Sequence, residues 1–128
     1  MNLLLDTHAA LWYLQDSPNL SPAVGEILEV TGNNLYLSIA SLWEIAIKHG
    51  LGKSELEFPF HHLPNLLMSF DIKILPIAFA PTECYLALPL HHRDPFDRML
   101  VAQAIYHSYT LVSQDVVLDA YPIQRLWA

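Results

Sequence analysis

One cysteine, Cys84, stands in 128 residues, so no intrachain disulfide can staple the chain. Nor is there an uninterrupted apolar run of the roughly 18 residues that a membrane span needs. Asp6, Glu44, Asp71 and Asp97 break the richest stretches. The N-terminus lacks the basic region, long apolar run and small-residue cleavage site of a secretory leader. Together these absences predict a soluble protein of the reducing cytoplasm. Positive charge is also scarce. Six Lys and Arg face thirteen Asp and Glu, for a net charge of −7, which argues against holding nucleic acid by a broad basic surface. An enzyme that acts on RNA needs no such surface. Lys48, Lys53, Arg93 and Arg98 flank the segments that carry the acids of interest, leaving Lys73 and Arg125 elsewhere. Repeats and low-complexity tracts are absent.

What is present is apolar bulk, at 53% of the residues, enough for one ordinary core in a single domain spanning 1–128. Short apolar runs at Asn2–Leu5, Leu35–Ser38, Ile72–Leu75 and Thr110–Ser113 read as buried strands, with Ile123–Trp127 as a last edge strand. Helices are predicted at Ala9–Leu14, from Pro22 to about Val30, at Ile39–His49, His62–Phe70, Pro81–Leu88 and from Pro95 through Tyr106, with a short one at Val116–Ala120. Strands alternating with helices imply right-handed crossovers, hence an α/β fold with a parallel sheet of four to five strands between helices.

The stretch His91-His92-Arg93-Asp94-Pro95-Phe96-Asp97-Arg98 is the most informative. Asp94 and Pro95 suit the N-cap and first position of a helix, which puts Asp97 one turn in. There the helix dipole favours a carboxylate by up to about 1 kcal/mol, and the same group can serve as a metal ligand. The helix from Ile39 is apolar nearly all round, so it should be buried on most of its surface, and Glu44 interrupts it. An exposed Glu44–Lys48 pair would contribute only about 0.2 to 0.5 kcal/mol. A carboxylate among buried neighbours instead needs a partner. Asp6 and Asp115 each follow a strand, and each can be read as an N-cap. His61-His62 makes a poor metal pair, because adjacent side chains do not face each other. Cys84 reads as a small core residue.

Each acid has a plain explanation on its own. In an open parallel sheet, however, Asp6, Glu44, Asp97 and Asp115 all belong to the edge where strands end and ligands bind. Four carboxylates there repel unless a cation holds them. Oxygen ligands select hard ions, so Mg²⁺, with Mn²⁺ as a substitute, is expected, and metal-assisted hydrolysis of a phosphodiester is the matching chemistry.

Leu3-Leu4-Leu5-Asp6-Thr7-His8, Ser38-Ile39-Ala40-Ser41-Leu42-Trp43-Glu44-Ile45-Ala46-Ile47-Lys48, His92-Arg93-Asp94-Pro95-Phe96-Asp97-Arg98 and Ser113-Gln114-Asp115 resemble, in order and spacing, the motifs of PIN-domain proteins of the VapC toxin type. The resemblance implies a three-layer PIN-like fold and a Mg²⁺-dependent ribonuclease with Asp6, Glu44, Asp97 and Asp115 in the catalytic, metal-binding places. It further implies a homodimer neutralised by a small VapB-like antitoxin. Thr7, Ser38, Asp94 and Ser113 are supporting candidates, and Lys48, Arg93 and Arg98 are candidates for substrate contact. Ser113-Gln114 departs from the Thr-Ala type commoner in that family, although Ser113 still supplies a hydroxyl. Two other readings compete. A phosphoacceptor receiver domain needs paired acids after its first strand and a late Lys, both missing here. A PIN domain that only binds a protein partner is the harder rival, and the presence of all four acids argues against it.

Overall fold

The computed structural model describes residues 1–128. Five strands, β1 (Asn2–Leu5), β2 (Asn34–Ser38), β3 (Ile72–Leu75), β4 (Thr110–Val112) and β5 (Arg125–Leu126), form one sheet in the order β3-β2-β1-β4-β5. Every pairing is parallel. Six helices accompany it: α1 (Thr7–Leu14), α2 (Pro22–Glu29), α3 (Ile39–Gly50), α4 (Leu63–Ser69), α5 (Phe79–Ala87) and α6 (Pro95–His107). Phe60–His62 and Val116–Ala120 are short 3₁₀ segments.

Parallel strands are covered on both faces, and β1 shows why a run of leucines suits that position. Leu3, Leu4 and Leu5 are all fully buried. Leu3 and Leu5 join a core with Ala10 and Leu11 of α1, Val24 and Leu28 of α2 and Leu67 of α4. Leu4 points the other way, into a core with Leu100, Val101 and Ala104 of α6. The alternation of strand side chains therefore divides the molecule into three layers with β1 at the centre.

The helices fall close to their predicted places, but two expectations about burial fail. On α3 the buried positions are Ala40, Ser41, Glu44 and Ile45, whereas Ile39, Trp43 and Ile47 are exposed, Trp43 at 62%. This helix lies over the sheet edge and buries a partly polar stripe. Its apolar content looks outward, so composition alone misjudged it. Cys84 is half-buried, not a core residue, because the buried position of α5 is Pro81. The terminal strand is also shorter than Ile123–Trp127, since only Arg125 and Leu126 reach register with β4.

No helix is long and apolar enough to cross a membrane. One buried polar residue of α6 links the layers. Gln103 is fully buried; its Oε1 accepts the Ser38 hydroxyl at 2.5 Å and its amide donates to the Pro76 carbonyl at 3.2 Å. Both partners lie at strand ends, so Gln103 pins the C-terminal rim of β2 and β3 to α6. Gln103→Leu would leave the buried Ser38 hydroxyl without its acceptor, a loss of about 1 to 3 kcal/mol. Urea unfolding should show a lower midpoint at unchanged slope.

Candidate active site

The strand order reverses between β1 and β4, the two central neighbours. From β1 the chain winds outward to β2 and β3, and on the other side β4 leads to β5. Such a switch point leaves a crevice beyond the strand ends, because the crossovers on either side run in opposite directions. Asp6 is the first residue after β1, Ser113 follows β4, and Asp115 lies two residues beyond Ser113. Asp6 and Asp115 line one open cleft together with His8, Trp12, Gln114 and Val116.

Asp6 and Asp115, which line the crevice, each also cap a helix with one oxygen. Asp6 Oδ1 accepts the Ala9 N–H at 2.7 Å, and Asp115 Oδ1 accepts the Val117 N–H at 3.0 Å. Asp94 caps α6 by accepting the N–H groups of Phe96 and Asp97 at 2.8 and 3.0 Å. That cap fixes the first turn of α6 and with it Asp97. The capping and site readings are thus compatible, since a carboxylate has an oxygen for each.

Glu44 is set back from the cleft. It is buried, and its Oε1 accepts the Thr7 hydroxyl at 2.6 Å while Oε2 meets the Lys48 ammonium at 3.0 Å. Thr7 Oγ1 also lies 3.0 Å from Ser41 Oγ. The i,i+4 pair with Lys48 therefore exists, with its acid end buried as the apolar surroundings of Glu44 predict. Ser38 caps α3 by accepting the Ala40 N–H and is tied to Gln103, so its part is structural. Ser113 is buried, and its hydroxyl accepts the Asp115 N–H at 3.1 Å, which shapes the turn carrying Asp115.

His92, quoted within a motif but not singled out by the sequence, is the addition the structure makes. Its Nε2 lies 2.9 Å from Asp115 Oδ2 and 3.4 Å from Asp97 Oδ2. Ligand atoms of these three residues all lie within 4.8 Å of one another. The Asp94 N–H donates to His92 Nδ1 at 3.1 Å, which assigns the neutral ring its proton on Nε2. His92 accordingly donates to the carboxylates and fixes their orientation. Its position between two helix caps was the available sequence signal.

Arg98 must be withdrawn as a substrate contact. It is buried; Nη1 donates to the Pro89 carbonyl at 3.0 Å, and the guanidinium lies 4.8 Å from the Tyr85 ring centre. Tyr121 helps from the other side, its hydroxyl donating to Pro89 O at 2.8 Å and accepting the N–H groups of His91 and His92. Arg98 and Tyr121 together hold the loop that presents His92. Burial in the loop, unreadable from sequence, removes Arg98 from the cleft. Arg93 is exposed, and Lys48 keeps part of its side chain in solvent.

The electrostatics follow from this crowding. Burial pushes the Asp6 carboxyl upward, eased by the Ser113 hydroxyl, the Ala9 N–H and the charge of His8. Asp97 is pushed up to about 6, first by burial and then by Asp94, Asp6 and Glu44, with His92 pulling the other way. An oxygen-rich crevice in which Asp6 and Asp97 resist ionisation has the donor set that suits a hard divalent cation, with Asp6, Asp97 and Asp115 as the groups that can hold it. Without metal, the folded chain retains the Asp97 proton where the unfolded chain has lost it. Stability should therefore fall as pH rises from about 4 to about 6; the cost is absent below that window and complete above it. Asp97→Asn removes that cost. Thermal melts in chelator should show the variant stabilised at neutral pH by about 1 to 3 kcal/mol, with the gain vanishing below the window.

The family model for the PIN domain matches residues 3–123. Ribonuclease VapC22 of Mycobacterium tuberculosis is 27% identical over 116 residues, covering 88% of this chain and 86% of that protein. The fold is shared with VapBC2 from Rickettsia felis, solved bound to a DNA fragment from their promoter, at a TM-score of 0.72, 19% identity and 98% coverage of both chains. FitAcB from Neisseria gonorrhoeae superposes at a TM-score of 0.67 and 19% identity, covering 98% of this chain and 96% of that one. The matched span contains the β1–β4 switch point and every acid that flanks it, and the chain belongs to the PIN-domain family.

Proposed function

We propose that this protein is a Mg²⁺-dependent endoribonuclease, the toxin of a cytoplasmic toxin-antitoxin pair, with Mn²⁺ as a substitute ion. The observation that carries the reading is that Asp6 and Asp115 line one cleft where the sheet order reverses, and that His92 joins Asp97 to Asp115 beside it. Membership of the PIN family and similarity to a ribonuclease support it. Asp6, Asp97 and Asp115 hold the cation, and His92 Nε2 orients the last two by its proton. A divalent ion at these oxygens supplies charge against the phosphodiester transition state and favours ionisation of the attacking water. Glu44 adds negative charge at the back of the site and fixes Thr7, while Lys48 limits its repulsion. Arg93, exposed beside the mouth, meets a phosphate of the strand.

Unpaired nucleotides fit such a crevice better than an A-form duplex, whose deep groove hides the bases. Cuts should fall in loops of structured RNA. The decisive experiment compares two aspartates of one turn by Mg²⁺ titration of RNA cleavage. Asp94→Asn keeps an equally good cap, so activity should largely survive. Asp97→Asn removes a ligand charge and should raise the Mg²⁺ requirement and lower the rate, each about tenfold or more. Chelator-resistant cleavage by pure protein would sink the proposal, as would an active Asp97→Asn beside a folded, inactive Asp94→Asn.

A homodimer and a VapB-like antitoxin complete the reading. Their support is the outward apolar content of α3 and α5, where Trp43, Leu86 and Phe79 are 62%, 86% and 77% exposed, a pattern that marks interfaces. Light scattering at micromolar concentration should give twice the chain mass. A monomer throughout that range would remove the dimer from the proposal.

A further inference from the structure

Beside the acidic mouth lies an aromatic ledge. Asp6 caps α1, Thr7 turns inward to Glu44, and His8, next in the helix, turns outward. Its imidazole stacks on Trp12 one turn later, with centroids 5.7 Å apart and planes inclined by 20°. Trp12 is braced by Trp127, edge-on at 6.1 Å. The His8 side chain remains 52% exposed.

Two hollows meet at this ledge. His8 and Trp12 line the cleft that contains Asp6 and Asp115. On its other side, His8 lines a hollow with Thr7, Lys48 and Lys53. That hollow gathers two of the chain's few cations at the mouth. Elsewhere, Arg98 is buried in its loop, Arg125 pairs with Asp119 at 2.8 Å and Lys73 lies over Tyr36. Lys48 is paired with Glu44 at 3.0 Å and keeps 45% of its side chain exposed, Lys53 has no acidic partner, and Glu55, the hollow's one acid, faces His8 at 3.8 Å.

We propose that the His8–Trp12 stack is the platform for one unpaired base of the RNA, with the next phosphate against Lys48 and Lys53. This rests on the ribonuclease reading and adds to it a direction for the strand. One side of the stacked base is cationic and takes a phosphate that is not cut. The other side opens on Asp6 and Asp115, so the phosphate cut is the one flanking the stacked base there. An aromatic face accepts any base, so the platform orders the strand and leaves base identity nearly free.

The test measures binding of labelled single-stranded oligoribonucleotides by fluorescence anisotropy, using the full chain carrying Asp97→Asn in chelator, with gels confirming that the probe stays intact. A series of probes carries one abasic nucleotide at each position in turn. One position should lose about 5- to 100-fold in affinity when its base is removed. His8→Ala should lose a similar factor on the intact probe and nothing further at that abasic position. His8→Phe, which keeps a stacking face, should bind like the parent. Lys53→Ala should reduce the salt slope by about 0.7, one phosphate contact on a single strand. The proposal is overturned if the parent binds no probe, if His8→Ala binds like the parent, if the abasic penalty persists in His8→Ala, or if His8→Phe is as weak as His8→Ala. Failure of wild-type protein to cleave RNA with Mg²⁺ is measured separately and counts against the ribonuclease reading instead.

Discussion

Like charges brought together out of bulk water are the constraint to which this structure answers. A parallel sheet whose order reverses between β1 and β4 must leave a crevice at their ends, and the chain places Asp6, Asp115 and, from α6, Asp97 around it. The fold tolerates the repulsion by tying down part of each group. Asp6 and Asp115 each accept a helix N–H, and Glu44 is held by a hydroxyl and an ammonium. Asp97 accepts least, and burial together with its acidic neighbours pushes it up to about 6. The remaining imbalance favours a cation and weakens the metal-free fold, so affinity and stability are opposite sides of one electrostatic fact.

The loop from Leu88 to Asp94 shows how much structure stands behind a single ring. Arg98 and Tyr121 satisfy carbonyls and N–H groups of that loop, which lies against the helix start capped by Asp94. The backbone N–H of Asp94 then decides which nitrogen of His92 carries the proton. Two residues that resemble a substrate-binding pair in sequence, Arg93 and Arg98, thereby acquire different roles. One remains in solvent, and the other builds the wall.

Helix α3 divides its labour in the reverse of the usual sense. Ser41 and Glu44 face inward toward Thr7, while Trp43 and its apolar neighbours face out. A helix with this polarity serves two surfaces at once: its inner side steadies the back of the acidic site, and its outer side exposes apolar area. The His8–Trp12 ledge adds a third device, placed where the acidic cleft and the Lys48–Lys53 hollow meet.

The amino-acid sequence by itself determined the layers of the fold and the edge to which the acids belong. Leucine runs too short for helices, alternating with capped amphipathic segments, permit little besides a covered parallel sheet. Asp6, Asp94, Asp97 and Asp115 could be placed at strand ends and helix starts because caps are local, decided within a few residues. Tertiary structure alone decided which carboxylates face the crevice, that Glu44 is set back, that Arg98 is enclosed and that His92 joins Asp97 and Asp115. Those are contacts between residues far apart in the chain, such as Thr7 with Glu44 or His92 with Asp115. They depend on the packing of α3 and α6 against the sheet, and periodicity reports which side of a helix is apolar without saying what will lie against it.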